Sequence, residues 1–278
     1  MKKGVRMLNR DKEFVAKMTF MNDPLFKEAV KKKEFCQEFL RILYGDPKLI
    51  VLESNPEWSV TNPFNKEVKL DARCITSDGK YVDIEVQNAN NDDIQKRARY
   101  NGSILTVNIT RKGDKYKDVP NVCVIFITKF DPFKKDLTIY HVERIIKETG
   151  EVVDNGLEEI YINTKVNDGS KVAELMRIFS TPYEYNDTLL PEISKVKRYL
   201  KEDPKGVSKM CELTKEIWTE GREEGREEGR EEGEKRGKVV SIRSLMKNAG
   251  WTAEKAMDAL EINPSEREFY LLELEKEK

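Results

Sequence analysis

The chain has 278 residues and a net charge of −1, and 36% of its residues are Asp, Glu, Lys or Arg, against about 25% in an average soluble domain. No run of about 18 apolar residues occurs, and the opening MKKGVRMLNR has no apolar signal core, so neither a membrane span nor export is expected and the cytoplasm is the default location. Four scattered cysteines with no C-x-x-C pair, and a single histidine, His141, argue against a zinc site and against a Cys/His or Ser/His nucleophile, leaving oxygen ligands for any metal.

In chain order, MNDPLFKEAVKKKEFCQEFLRILYG reads as an opening helix pair. Asn22 or Asp23 can cap it, Pro24 suits the first turn, and the apolar face of Phe35, Phe39, Ile42 and Leu43 ends at Gly45. LIVLE is a short strand, and EVKLDARCITSDGKYVDIEVQ reads as two strands joined at Ser77, Asp78 and Gly79. DDIQKRARYNGSILTVNI is a helix with acids in its first turn and Lys96, Arg97, Arg99 and Tyr100 further on. NVCVIFITKF is apolar enough for a strand buried on both faces, and LTIYHVERI is expected to pair with it. LEEIYINT follows as a strand, then KVAELMRIFS and LPEISKVKRYLKE as short helices.

These elements predict an α/β fold with a central mixed sheet flanked by helices and a helical C-terminal extension. The expected boundaries are a main domain over 1–215, with its core at about 18–145 and a mixed extension over 146–215. A charged repeat follows over 216–238 and a small helical module over 239–278. The repeat EGREEGREEGREEGEKRGK places glycine at 221, 225, 229, 233 and 237, each costing a helix interior about 1 kcal/mol relative to Ala. Pairs such as Glu227 with Arg230 help only slightly, so the repeat reads as a marginal helix or a flexible arm, with a glycine seam for helix pairing as its functional alternative.

The stretch YVDIEVQ alternates Val82, Ile84 and Val86 against Asp83, Glu85 and Gln87, the pattern of a half-buried strand. Two carboxylates side by side on one face repel, so something is expected to compensate them. With Asp71 on the preceding arm the pattern is D-x13-E-x-Q: Asp71, Glu85 and the Val86 carbonyl can converge on one hard cation, Mg²⁺ fitting best and Mn²⁺ next. Such an ion lowers the pKa of a bound water and stabilises charge on a phosphoryl oxygen. Acids on a hairpin in so charged a chain also serve as plain solvated surface, and spacing does not separate the two readings.

Six segments in order, NDPLFKEAV, CQEFLRIL, KLDARCITSDGKYVDIEVQ, KRARYNGSIL, RKGDKY and NVCVIFITKFDPF, resemble the PD-(D/E)XK nucleases of the recombination-promoting nuclease, or transposase, subfamily. The resemblance covers roughly residues 18–215, and the charged repeat with a helical end is similar to tails in that family. It implies a restriction-endonuclease-like core that cuts DNA phosphodiesters with Mg²⁺. Asp71 matches the first motif acid, Glu85 the second, and Gln87 the place of the general motif's lysine; Leu70 stands where the motif has proline. A lysine there would bring a charge to the scissile phosphate and its attacking water, whereas Gln only exchanges hydrogen bonds, placing more of the activation on the metal. Asp83 is a candidate outer acid. For the extra acid that this superfamily often carries on its first helix, Glu38 is the candidate, with Asp23 behind it; a capping or helix-surface role is the alternative for each. Lys96, Arg97, Arg99 and Tyr100 match the family's basic helix and are expected at DNA phosphates, a salt-bridged exposed face being the alternative; Lys31 to Lys33 and Arg111 to Lys117 read first as solvated surface runs and otherwise as widening the footprint.

The charge distribution agrees with a polyanionic partner: residues up to Tyr140 carry 26 Lys and Arg against 20 Asp and Glu, and the remainder 24 against 31. The expected function is therefore a metal-dependent DNA endonuclease in recombination or mobile-element biology. The alternative is a module on the same fold that binds nucleic acid or assembles without cutting. Nothing in the residues shows strand transfer or end recognition. A double-strand cut needs two active sites, which makes a homodimer attractive.

Overall fold

In the computed structural model, residues 11–60, 68–90 and 93–276 are described, and within them residues 11–17 are helical. Two helices follow, α1 (Asp23–Val30) and α2 (Lys33–Tyr44). Pro24 sits in the first turn of α1. Next come β1 (Val51–Val60), β2 (Val68–Thr76) and β3 (Tyr81–Gln87). The β2–β3 turn is tied by Thr76 N–H to the Lys80 carbonyl (3.0 Å) and Gly79 N–H to the Thr76 carbonyl (2.9 Å), with Gly79 at a φ of 84° that favours glycine. Helix α3 (Ile94–Ile109) is capped by Asp93, whose side chain accepts from the Lys96 N–H; Asp92, the other acid expected there, lies outside the described residues. Strands β4 (Val122–Thr128), β5 (Ile139–Val142) and β6 (Leu157–Asn163) and helices α4 (Lys171–Ser180) and α5 (Pro191–Lys201) follow.

The strands form one mixed sheet in the order β1-β2-β3-β4-β6-β5, parallel at β3/β4 and β4/β6 and antiparallel elsewhere. Two expectations change here. The strand of LTIYHVERI, β5, pairs with β6 and not with β4, because the apolar β4 takes parallel partners on both sides and leaves β5 at the edge. β3 is not half-buried: it lies third in the sheet, and α3 covers the face that carries Asp83 and Glu85, which are 0% and 2% exposed.

The two faces of β4 show how the core divides. Cys123, Ile125 and Ile127 pack into a cluster with α1, α2, α4 and α5, where the Phe20 ring centroid lies 4.9 Å from that of Phe35 and the Phe35 centroid 5.7 Å from that of Phe179. Val122, Val124 and Phe126 pack with Ile94, Ala98 and Leu105 of α3. α3 lies close on this face, and a Cβ at Gly102 would stand 2.8 Å from Leu157 Cδ1.

Helix α6 (Pro204–Ala249) runs unbroken through the glycine repeat. Arg230 pairs with Glu227 and with Glu234 at 3.1 Å, side-chain support that offsets part of the glycine penalty. The chain divides into compact units over residues 1–214 and 215–278. In the second unit, α6 is followed by α7 (Ala253–Ala259) and α8 (Arg267–Glu275), and Ile242, Ala256, Met257, Ile262 and Tyr270 form its apolar core. No described helix is long and apolar enough to cross a membrane.

The end of α4 is held by a buried lysine. Lys197 Nζ on α5 donates to the carbonyls of Ile178 (2.7 Å), Thr181 (2.6 Å) and Glu184 (3.0 Å), matching the three donors of an ammonium. Lys201, one turn on, donates to Met18 O at 2.6 Å and so ties α5 to the segment leading into α1. Replacing Lys197 by Met keeps the length but leaves three carbonyls without their donor, at about 1–3 kcal/mol each. Lys197→Met is expected to lower the unfolding free energy by about 3 kcal/mol or more, read as a fall in the urea midpoint; an unchanged midpoint would show that water replaces the ammonium there.

Candidate active site

The β2–β3 ladder ends at the pair Ala72–Ile84. One residue further on, where Asp71 and Glu85 stand opposite, side chains take over from backbone carbonyls. Asp71 N–H donates to Glu85 Oε1 (3.2 Å), and Val86 N–H donates to Asp71 Oδ2 (3.0 Å). Each acid thus accepts a backbone N–H from the other's strand, and the D-x13-E spacing resolves into this reciprocal pair. The N–H and C=O of one strand residue point to the same side, so the Val86 carbonyl also points toward β2, where the ladder has parted.

The irregularity extends across β2. Glu57 on β1 lies between Pro56 and Trp58, which pair with Ala72 and Leu70, and so stands opposite Asp71 with a φ of 51°. Its side chain turns to Lys27 on α1, which also pairs with Asp23 at 2.7 Å. Burial alone would pull the Lys27 ammonium down, but the bonds to Asp23 and Glu57 prevail and hold it above its ordinary value.

Three carboxyls crowd this point. Burial, with the charge of Asp23 adding to it, pushes Asp71 up, partly offset by the Val86 N–H, Lys27 and Arg97. Glu85 is raised to about 7 by burial first and the charge of Asp71 second. Asp83 is raised well above the carboxylate range by burial and then by Glu85, while accepting from Asn101 Nδ2 at 3.1 Å. Arg97 is the cation closest in, donating from Nη2 to Glu85 Oε2 (2.9 Å) and from Nη1 to Gln87 Oε1 (2.7 Å).

The structure therefore brings together Asp71, Glu85, Val86, Gln87 and Arg97. Glu38 does not join them. Its two oxygens accept from Ile193 N–H (2.7 Å) and Glu192 N–H (3.2 Å), where the first turn of α5 offers unpaired backbone donors that draw an acid. Asp23 is the first-helix acid whose charge reaches Asp71. Lys96 is exposed and pairs with Asp93 at 3.1 Å, Arg99 is exposed, and Tyr100 is 41% exposed. Arg99 sits about 200° round α3 from Arg97, which explains why one points in and the other out.

Lys27, Glu57 and Asn101 were not singled out from the sequence. Asn101 was within reach: it stands four residues after Arg97, between the apolar Ala98 and Leu105, a spacing that puts both polar side chains on the sheet-facing stripe. Glu57 carried no comparable signal, since its place follows from a positive φ within β1.

With this geometry in place, a family model described as PD-(D/E)XK nuclease family transposase matches residues 20–234. The chain belongs to that family. No curated protein matches it, and no solved structure does. Membership of the PD-(D/E)XK nuclease family transposases makes it a nuclease- and transposase-related protein with the restriction-endonuclease-like fold, built on the central mixed sheet.

Among the described residues no group of three or more His, Cys, Asp and Glu is gathered as a cation cage. The donor chemistry nevertheless fits a hard divalent ion: carboxylate oxygens of Asp71 and Glu85 with one backbone carbonyl between them, and mutual repulsion that a cation would relieve. Without a cation the strain appears as pH dependence. Between the ordinary value of 4.5 and about 7, folded Glu85 keeps a proton that the unfolded chain has released. Stability should therefore fall as pH rises through that window. Urea midpoints of metal-free protein from pH 4.5 to 8 are expected to decline, with a shallower slope in Asp71→Asn, where the charge that raises Glu85 is gone. Parallel slopes in the two proteins would refute the mutual repulsion.

Proposed function

We propose that the chain is a divalent-metal-dependent DNA endonuclease acting in recombination or mobile-element biology. The observation that carries this reading is the reciprocal pairing of Asp71 and Glu85 through each other's strand N–H groups, which presents two carboxylates and the Val86 carbonyl at one break in the ladder. Asp71, Glu85 and Val86 would hold Mg²⁺, with Mn²⁺ as the other candidate. When bound, the ion supplies Lewis-acid stabilisation of the phosphoryl oxygens and lowers the pKa of a bound water.

The protein's own side chains account for the remaining work. Asp83, held by Asn101 Nδ2, lies buried beside Glu85 on the same face of β3. Gln87 contributes hydrogen bonds at the exposed end of β3, and Lys96, Arg99 and Tyr100 form an outward face of α3 suited to phosphates along the DNA backbone. The nuclease domain in this reading covers 1–215, the repeat 216–238 links it to the helical module 239–278, and the protein works in the cytoplasm. Two copies would supply the two sites of a double-strand cut.

One observation favours the second reading, a non-cutting nucleic-acid-binding or assembly module. Arg97 already pairs with Glu85, and no lysine stands at position 87. Incubating purified protein with supercoiled plasmid separates the two. Nicking or linearisation is expected with Mg²⁺ or Mn²⁺, none with EDTA, and none in folded Asp71→Ala or Glu85→Ala. DNA binding without cleavage under every divalent ion would give the second reading the field.

A further inference from the structure

We propose, on the reading that this site cuts phosphodiesters, that Arg97 is the catalytic cation of the site and that Gln87 is its positioning residue. Gln87 is anchored at both ends of its amide. Nε2 donates to the Ala89 carbonyl at 2.8 Å, which fixes which way the amide faces, and Oε1 then accepts from Arg97 Nη1 at 2.7 Å. A residue held so presents an acceptor to a cation. The charge that the general motif places on its strand lysine is here delivered from α3.

Arg97 is built to deliver it. Its guanidinium lies 5.3 Å from the ring centroid of Phe126, the residue directly across from Glu85 in the parallel β3–β4 register, so an aromatic face backs the cation from beneath. Gln87 and Glu85 fix two of its directions. A guanidinium has five N–H donors, so others remain to meet phosphoryl oxygens. Exposure separates the roles: the Arg97 side chain is 34% exposed and open to a substrate, while that of Glu85 is 3% exposed. An arginine serving only to neutralise Glu85 would not need a second anchor of fixed orientation.

In the reaction, a water oxygen bonds to phosphorus as the phosphorus–oxygen ester bond breaks. The electron pair of that bond leaves on the departing oxygen, which takes a proton, and the water gives up a proton to solvent. The products are a phosphate monoester and a hydroxyl. Arg97 meets the negative charge that grows on the non-bridging oxygens along this path, a contribution of the kind whose removal slows catalysis by about 10²–10³-fold.

The test measures plasmid-cleavage kinetics and, separately, Mn²⁺ binding without DNA by calorimetry, with circular dichroism confirming the fold of each variant. In Arg97→Ala, kcat is expected to fall about 100-fold or more while KM for DNA stays within about threefold. Its Mn²⁺ affinity should hold or tighten, because the cation competing for Glu85 is gone. Adding Gln87→Lys to Arg97→Ala should recover kcat about tenfold or more, since it returns a charge from the strand side. Arg97→Ala that raises KM alone, loses Mn²⁺ binding together with activity, or gains nothing from Gln87→Lys overturns the assignment. A wild type that cuts and an Arg97→Ala that cuts equally well sinks this inference and spares the nuclease reading. A wild type inactive with every divalent ion removes both.

Discussion

The constraint on which the site depends is the parting of β2 from β3 one residue beyond the Ala72–Ile84 pair. A ladder that simply stopped there would leave backbone donors unsatisfied in a half-buried place, and Asp71 and Glu85 prevent this by accepting each other's strand N–H groups. The same act draws two carboxylates together and points a carbonyl into the gap. Backbone satisfaction and the convergence of the two carboxylates are thus one arrangement, and neither acid can leave without exposing an N–H as well as removing a charge.

The surrounding fold keeps this arrangement rigid. Placing β3 between β2 and the wholly buried β4 fixes Glu85 beside Phe126, and α3 then closes the face with Arg97 and Asn101, one turn apart. On the other side of β2, Glu57, at a positive φ, pairs with Lys27, and Lys27 also pairs with Asp23, whose charge reaches Asp71. α1 can supply that pair because the phenylalanine cluster of Phe20, Phe26, Phe35 and Phe179 packs it down and the Lys201 bond to Met18 O holds the segment before it. Each cation therefore reaches the acids from a different helix.

What was legible in the sequence follows from how local its cause is. The hairpin, the apolar β4 and the capped α3 are written in neighbouring residues, through period-two alternation, a turn at Ser77 to Gly79 and an Asp at the helix start. The pairing of β5 with β6 is not, because it depends on which strand wins the second edge of β4, a competition between distant segments. The burial of Asp83 and Glu85 was hidden for the same reason: alternation reports that two faces differ, and not that a helix later covers the polar one. Glu38 misled because an acid on the second helix has the right charge for a ligand and also the right charge for the open N–H groups of α5, and only the packing of α5 decides between them.

The charge balance at the centre explains why glutamine is a workable residue at position 87. With Arg97 already bonded to Glu85, a lysine beside it would set two cations against one another across the span of a hydrogen bond, where now an amide oxygen faces the guanidinium. Moving the charge to the helix also changes what the metal-free site is. Glu85 is neutralised in part by an arginine that cannot deprotonate, so the buried acids persist without a cation. A strand lysine could balance the same charges, but it would lack the planar fork by which the guanidinium is held to Glu85 and Gln87 at once.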